Sequence, residues 1–210
     1  MPGFRKRFFD NFTEESVPRA GRKGCRKVYT YRGNWYRWDA TPTQLAGHKV
    51  AYVCCLVCGA AVYGLTSMQP AAANAYTLVA APSLLSLVAL LYQVLGVAEF
   101  CLAKEYMTVL DFEDLRKKLT AAPLLHALLL LVACGASCWA YLWVGGFSAL
   151  IPAGYLVCAV LSACIFFLHR RLKYQVLDNA AVPQKAKTNA PVHGSALGRF
   201  LPCYVGAAPV

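Results

Sequence analysis

The sequence predicts an all-α integral membrane protein with four transmembrane helices, arranged as two antiparallel hairpins with both termini in the cytoplasm. Three observations predict it. First, residues 123–168 form an unbroken apolar run of 46 positions with one His and no Asp, Glu, Lys or Arg. A span needs about 20 residues at 1.5 Å each to cross roughly 30 Å of hydrocarbon. The run therefore holds two spans, turned back at Gly145–Gly146. Second, apolar residues make up 58% of the chain and charged ones only 15%, and the two are segregated into blocks rather than mixed. Third, the net charge of +11 is unevenly placed. Lys and Arg fall in 1–49, in 104–118 and from Arg170 onward, while the connections at 67–75 and 145–148 carry no charge. Short basic loops stay on the cytoplasmic side, which sets the orientation. Such a distribution also turns the positive charge toward anionic headgroups rather than nucleic acid.

In chain order, residues 1–47 read as a basic cytoplasmic arm. The opening MPGFRKRFF sets Phe4 and Phe8 beside Arg5, Lys6 and Arg7, a composition suited to rings in the interface and cations on headgroups. The stretch 28–38, VYTYRGNWYRW, places aromatic and β-branched residues on both sides of Gly33–Asn34 and predicts a short β-hairpin. Its Trp35, Tyr36 and Trp38 are candidate contacts with lipid or a partner. A hairpin of two strands is marginal alone and needs something to lean on.

The membrane domain is 48–168, with spans at about 48–66, 82–103, 123–144 and 147–168. Thr43 is the candidate cap of the first helix. Pro82 either opens the second span or sits against an outer turn from Tyr76. Between the second and third spans, KEYMTVLDFEDLRKKL (104–119) repeats Val109, Phe112, Leu115 and Leu119 at helical spacing, with acids before bases as the helix dipole prefers. It predicts a short amphipathic helix in the central cytoplasmic loop. From His169 the tail to residue 210 is basic, then rich in Ala and Pro with little to bury, and reads as largely disordered.

Small residues four apart, Ala60 and Gly64, Ala136 and Ala140, and Gly154, Cys158 and Ser162, predict close helix contacts in lipid. Ten cysteines raise the question of metal. Cys54, Cys55 and Cys58 form C-C-x-x-C, and Cys134 and Cys138 share a helix face, but no second CxxC matches them and buried thiols pack as small apolar groups. No metal and no cofactor is expected.

An ionisable or strongly polar group at membrane depth is a candidate site by its cost alone. Three such residues are singled out: Glu99, one turn inside the second span; His126, one turn inside the third and the expected partner of Glu99; and Gln93, mid-span. Sequence motifs for nucleotide binding, serine hydrolysis or zinc proteolysis are missing. The expected function is that of a non-enzymatic accessory or scaffold subunit of the plasma membrane. It would act through lipid contacts and through a membrane-protein partner or its own copies, with no role for nucleic acid. The alternatives are a small oligomeric transporter or channel subunit using Glu99 and His126, and, less favoured, a membrane-embedded enzyme.

Overall fold

A computed structural model describes residues 12–18, 25–69, 74, 76–144 and 148–183. It has four helices long and apolar enough to cross a membrane. They are α1 (Pro42–Ser67), α2 (Thr77–Leu102), α3 (Val109–Val144) and α4 (Leu150–Arg171). The described residues fall into two compact units.

The larger unit, Trp38–Glu105 with Glu113–Gln175, contains the helices. Helix α1 starts six residues before the expected span because Thr41, not Thr43, caps it. Gln44 N–H donates to Thr41 Oγ1 at 3.3 Å, and Thr41 N–H donates to the Gln44 side chain at 3.1 Å. With Pro42 in the first turn this is a complete capping box. Helix α2 begins at Thr77 and carries Pro82 in its interior, so the second span starts before the proline rather than at it. The proline leaves the Leu78 carbonyl without its usual i+4 donor.

The largest departure from expectation is α3. The amphipathic segment is not a separate helix: α3 runs unbroken for 36 residues through Pro123, about 54 Å at 1.5 Å per residue. Thr108 caps its start, where Asp111 N–H donates to Thr108 Oγ1 at 3.3 Å and the hydroxyl donates back to Asp111 Oδ2 at 3.0 Å. Pro123, the residue at the junction of the amphipathic and apolar turns that disfavours helix, lies within α3 rather than ending it.

The most intimate pair is α1 with α4, running in opposite directions: Gly59 faces Leu161, and Thr66 lies against Gly154. Helix α1 also meets α2 through Tyr63 and Ser83 and through Tyr52 and Phe100, whose ring centroids are 5.0 Å apart. Helix α3 meets α4 through His126 and Ser162 and through Cys134 Sγ, which donates to the Pro152 carbonyl at 3.3 Å. The core gathers Tyr63, Val79, Leu130, Ala133, Ile151, Tyr155 and Cys158. Leucines and valines such as Leu84, Val88, Leu128, Val132 and Val160 are exposed on the outside, the inversion expected where the surrounding solvent is lipid.

The smaller unit comprises the described parts of Met1–Arg37, Tyr106–Phe112 and Val176–Val210. The strand pairing corrects the expected 28–38 hairpin. Strand β2 (Cys25–Tyr31) pairs antiparallel with β1 (Phe12–Pro18), whereas β3 (Trp35–Trp38) is the middle strand of a second sheet, between β4 (Met107–Thr108) and β5 (Tyr174–Leu177). The two strands flanking Gly33–Asn34 thus belong to different sheets. The reason is packing: Trp35 pairs with Thr108 and is buried with Tyr31 and Val182, an enclosure that a bare hairpin lacks. Trp35 Nε1 donates to Asn179 Oδ1 at 3.2 Å, and the Tyr31 hydroxyl donates to the Asn34 carbonyl at 2.7 Å while accepting from Val109 N–H at 3.1 Å. Burial pushes the Tyr31 phenol above its ordinary range, against the lowering effect of that Val109 bond.

Candidate functional site

The polar side chains singled out in the sequence occupy separate places in the helical unit. Glu99 sits near the end of α2. Its carboxylate is not held by His126: Lys118 Nζ, on α3, lies 2.7 Å from Glu99 Oε1 and 2.8 Å from Asp114 Oδ2. Lys118 is the member buried most deeply, its side chain 9% exposed against 16% for Glu99 and 59% for Asp114. Gly96 makes the approach possible. A Cβ there would stand 3.2 Å from Lys118 Cβ, so the missing side chain lets the lysine stem lie against α2. Lysine covers apolar surface with its stem and carries the charge at its tip, which suits a residue bridging two helices near a membrane boundary.

Lys118 was the residue missed. Within a run of charges its neighbours suggest a solvated face, yet Leu115 three before and Ala122 four after it are buried. At helical spacing those positions share a face, and that pattern marks Lys118 as inward.

His126 is 1% exposed. Its Nδ1 shares a 2.7 Å hydrogen bond with Ser162 Oγ on α4, the donor depending on the tautomer, and its ring lies 6.5 Å from that of Tyr63. The Tyr63 hydroxyl donates to the Ser83 carbonyl at 2.7 Å, and Tyr155 donates to Ser83 Oγ at 3.2 Å. Helices α1, α2 and α4 are thus tied at Ser83, and α3 and α4 at His126. Polar residues inside an apolar span must satisfy each other, because lipid offers no partner. Tyr63→Phe removes one such tie, and its expected cost is about 1 kcal/mol, read as a lowered melting temperature in mild detergent.

Gln93, 2% exposed, is buried on α2. Among the described residues, its Oε1 and the Nε2 of His126 have no hydrogen-bond partner, and neither do the Tyr52 hydroxyl and Nδ1 of His169. Near the Trp38 end of the unit the rings form a chain: Trp38 meets His169 at 5.7 Å and Phe100 at 5.8 Å, and Phe100 meets Tyr52. Of the other candidate contacts, Trp35 is enclosed in the smaller unit and Tyr36 stacks on Phe112 at 4.7 Å. Phe4, Arg5, Lys6, Arg7 and Phe8 lie outside the described residues.

Among the described residues, His, Cys, Asp and Glu side chains form no group of three able to hold a metal ion. Cys54 and Cys58 face outward on α1, while Cys158 is buried and donates to the Gly59 carbonyl at 3.4 Å. No protein-family model, curated protein or solved structure matches this chain.

Proposed function

We propose that this chain is a non-enzymatic accessory or scaffold subunit, inserted in the plasma membrane with both termini in the cytoplasm and its helices paired as two antiparallel hairpins. One observation carries the reading. Glu99, the carboxylate within the second apolar span, is paired inside the chain with Lys118, and His126 is hydrogen-bonded to Ser162. The Glu99–Lys118 pair and the His126–Ser162 bond each join two helices, a use that specifies a shape rather than moves a solute. The partners of this reading are anionic headgroups on the cytoplasmic face and a second membrane protein or further copies of the chain.

The test is mild solubilisation of native membranes and purification through an affinity tag on the full chain. A partner held in fixed stoichiometry is the expected result; a chain recovered alone and monomeric under every mild detergent tried would end the subunit reading. Orientation is tested separately, with Asn74→Cys and Gly146→Cys expected to react in intact cells with a membrane-impermeant thiol reagent. Labelling of native Cys25 in sealed cells would reverse the assignment.

A second reading, a small oligomeric transporter or channel subunit, draws on the buried Gln93 Oε1 and His126 Nε2, which have no hydrogen-bond partner among the described residues. Groups of this kind mark solute pathways when they line one. It requires flux in proteoliposomes containing the chain alone, abolished by Gln93→Leu in a protein that stays folded.

A further inference from the structure

We propose that Arg116, Arg170, Arg171 and Lys173 form a binding site for the phosphate of an anionic phospholipid headgroup. The inference deepens the subunit reading by locating its lipid contact in the helical unit, and for its membrane setting it rests on that reading.

Three observations converge on these residues. The first is uncompensated charge. All four side chains are exposed, and among the described residues none has a carboxylate within ion-pair distance. The contrast lies within one helix: Lys117 pairs with Glu113 at 3.8 Å, and Lys118 takes Glu99 and Asp114, leaving Arg116 without an acid. Asp39 adjoins the group through its backbone N–H, which donates to the Lys173 carbonyl at 3.0 Å. Its Oδ1 already accepts from Gln175 at 2.8 Å.

The second is convergence from two elements. Arg170 and Arg171 close the last turn of α4, and Lys173 follows it. Arg116 comes from α3, and its guanidinium sits 5.6 Å from the ring of Tyr174, next to Lys173 in the chain. Basic pockets between membrane helices on the cytoplasmic side suit phospholipid headgroups.

The third is depth. The Arg170 guanidinium lies 5.3 Å over the ring of Phe166, one turn back along a membrane helix, and Phe167 beside it is exposed. A cation on a ring that belongs to the apolar span stands at the boundary between acyl chains and headgroups. There the phosphate of a lipid is at hand, and its chains lie along Phe167. A soluble phosphate would gain nothing from the rings. Cations also suit the C-terminal end of a helix dipole, but that explains neither Arg116, which belongs to another helix, nor the ring beneath Arg170.

The experiment uses the full chain in mild detergent and native mass spectrometry, with phosphatidylserine and phosphatidylcholine titrated in turn. Wild type is expected to retain phosphatidylserine over phosphatidylcholine, and each removed cation to cut that preference about fivefold. The variant R116Q/R170Q/R171Q/K173Q should show no preference. R5Q/K6Q/R7Q, which removes three cations from the arm, should keep it, and R170K/R171K should keep it too. If the fourfold variant aggregates, R170Q/R171Q alone should still lower the preference by about 25-fold. An unaltered preference in these Gln variants, or its loss on changing the arm alone, would overturn the site. Displacement of the lipid by inorganic phosphate at equal concentration would overturn the lipid as ligand. Partner retention from native membranes is read in parallel, so that its failure ends the subunit reading and leaves the lipid measurement to stand or fall by itself.

Discussion

Lys118→Met should destabilise the helical unit by about 3 kcal/mol, and adding Glu99→Gln should recover most of that loss. Methionine keeps the length of the lysine stem, so the apolar contact with Gly96 survives and little cavity is made. What disappears is the ammonium 2.7 Å from Glu99 Oε1. Removing one partner of a buried pair costs about 3–5 kcal/mol, because the remaining charge is left without compensation. The low end applies, since the Glu99 side chain retains 16% exposure. Asp114 contributes little to the sum: its side chain is 59% exposed, and a solvated pair of this kind is worth well under about 1 kcal/mol. Glu99→Gln alone should be milder than Lys118→Met, because Asp114 still holds the ammonium. The double substitution leaves neutral groups at both positions, so its cost should fall clearly below the sum of the singles. Thermal and denaturant unfolding of wild type, both singles and the double in one mild detergent supply the cycle. Strict additivity would mean that the contact is incidental.

That pair also shows where the sequence was informative and where it was not. The four membrane helices were legible because a span declares itself by length and composition within one segment. Glu99 was legible as costly for the same local reason. Its partner was not, since choosing between His126 and Lys118 requires knowing which face of α3 meets α2. The answer lay in a weak signal, the spacing of Lys118 from Leu115 and Ala122, hidden inside a charged run. Helix starts were legible in principle: Thr41-Pro42-Thr43-Gln44 contains a capping box, and Thr108 stands three residues before Asp111, from whose N–H its hydroxyl accepts. The continuity of α3 was hidden because a change from amphipathic to apolar composition, with Pro123 at the junction, resembles an element boundary, although the helix runs through that proline. The 28–38 hairpin failed for a different reason. Aromatic residues around Gly-Asn favour a local turn, but Trp35 is enclosed by Tyr31 and Val182, and the decisive partners, at 107–108 and around 182, are far away in sequence. Small residues gave a mixed result. Cys158 and Ser162 are buried on α4, whereas Gly64 has open space around it.

Gly154→Leu is expected to cost about 3 kcal/mol, at the upper end of ordinary overpacking. The first and last membrane helices share the most extensive contact among the described helix pairs, and Gly154 marks a place where it tolerates no side chain. A Cβ at this position would run into Thr66 Oγ1 and would stand 3.0 Å from both Thr66 Cβ and Thr66 Cγ2. Thr66 has little freedom to move away. It is 5% exposed, and its hydroxyl donates to the Val62 carbonyl at 2.8 Å in its own helix, so a new rotamer would also strand a polar group in an apolar setting. Even Gly154→Ala should therefore be felt. Gly59, on the same interface, supplies the control: a Cβ there would meet Leu161 at 3.9 Å, an ordinary contact, and Gly59→Ala should change stability by less than about 1 kcal/mol. Helix propensity cannot account for such a difference, because Ala in place of Gly favours a helix at either site. The reciprocal double, Gly154→Ala with Thr66→Gly, moves the gap from one helix to the other. It should recover much of the loss of Gly154→Ala, less about 1 kcal/mol for glycine inside a helix. Melting in mild detergent checks the series. Equal effects of Ala at 59 and 154, or a reciprocal double no better than Gly154→Ala, would remove the α1–α4 contact as the element that fixes helix spacing.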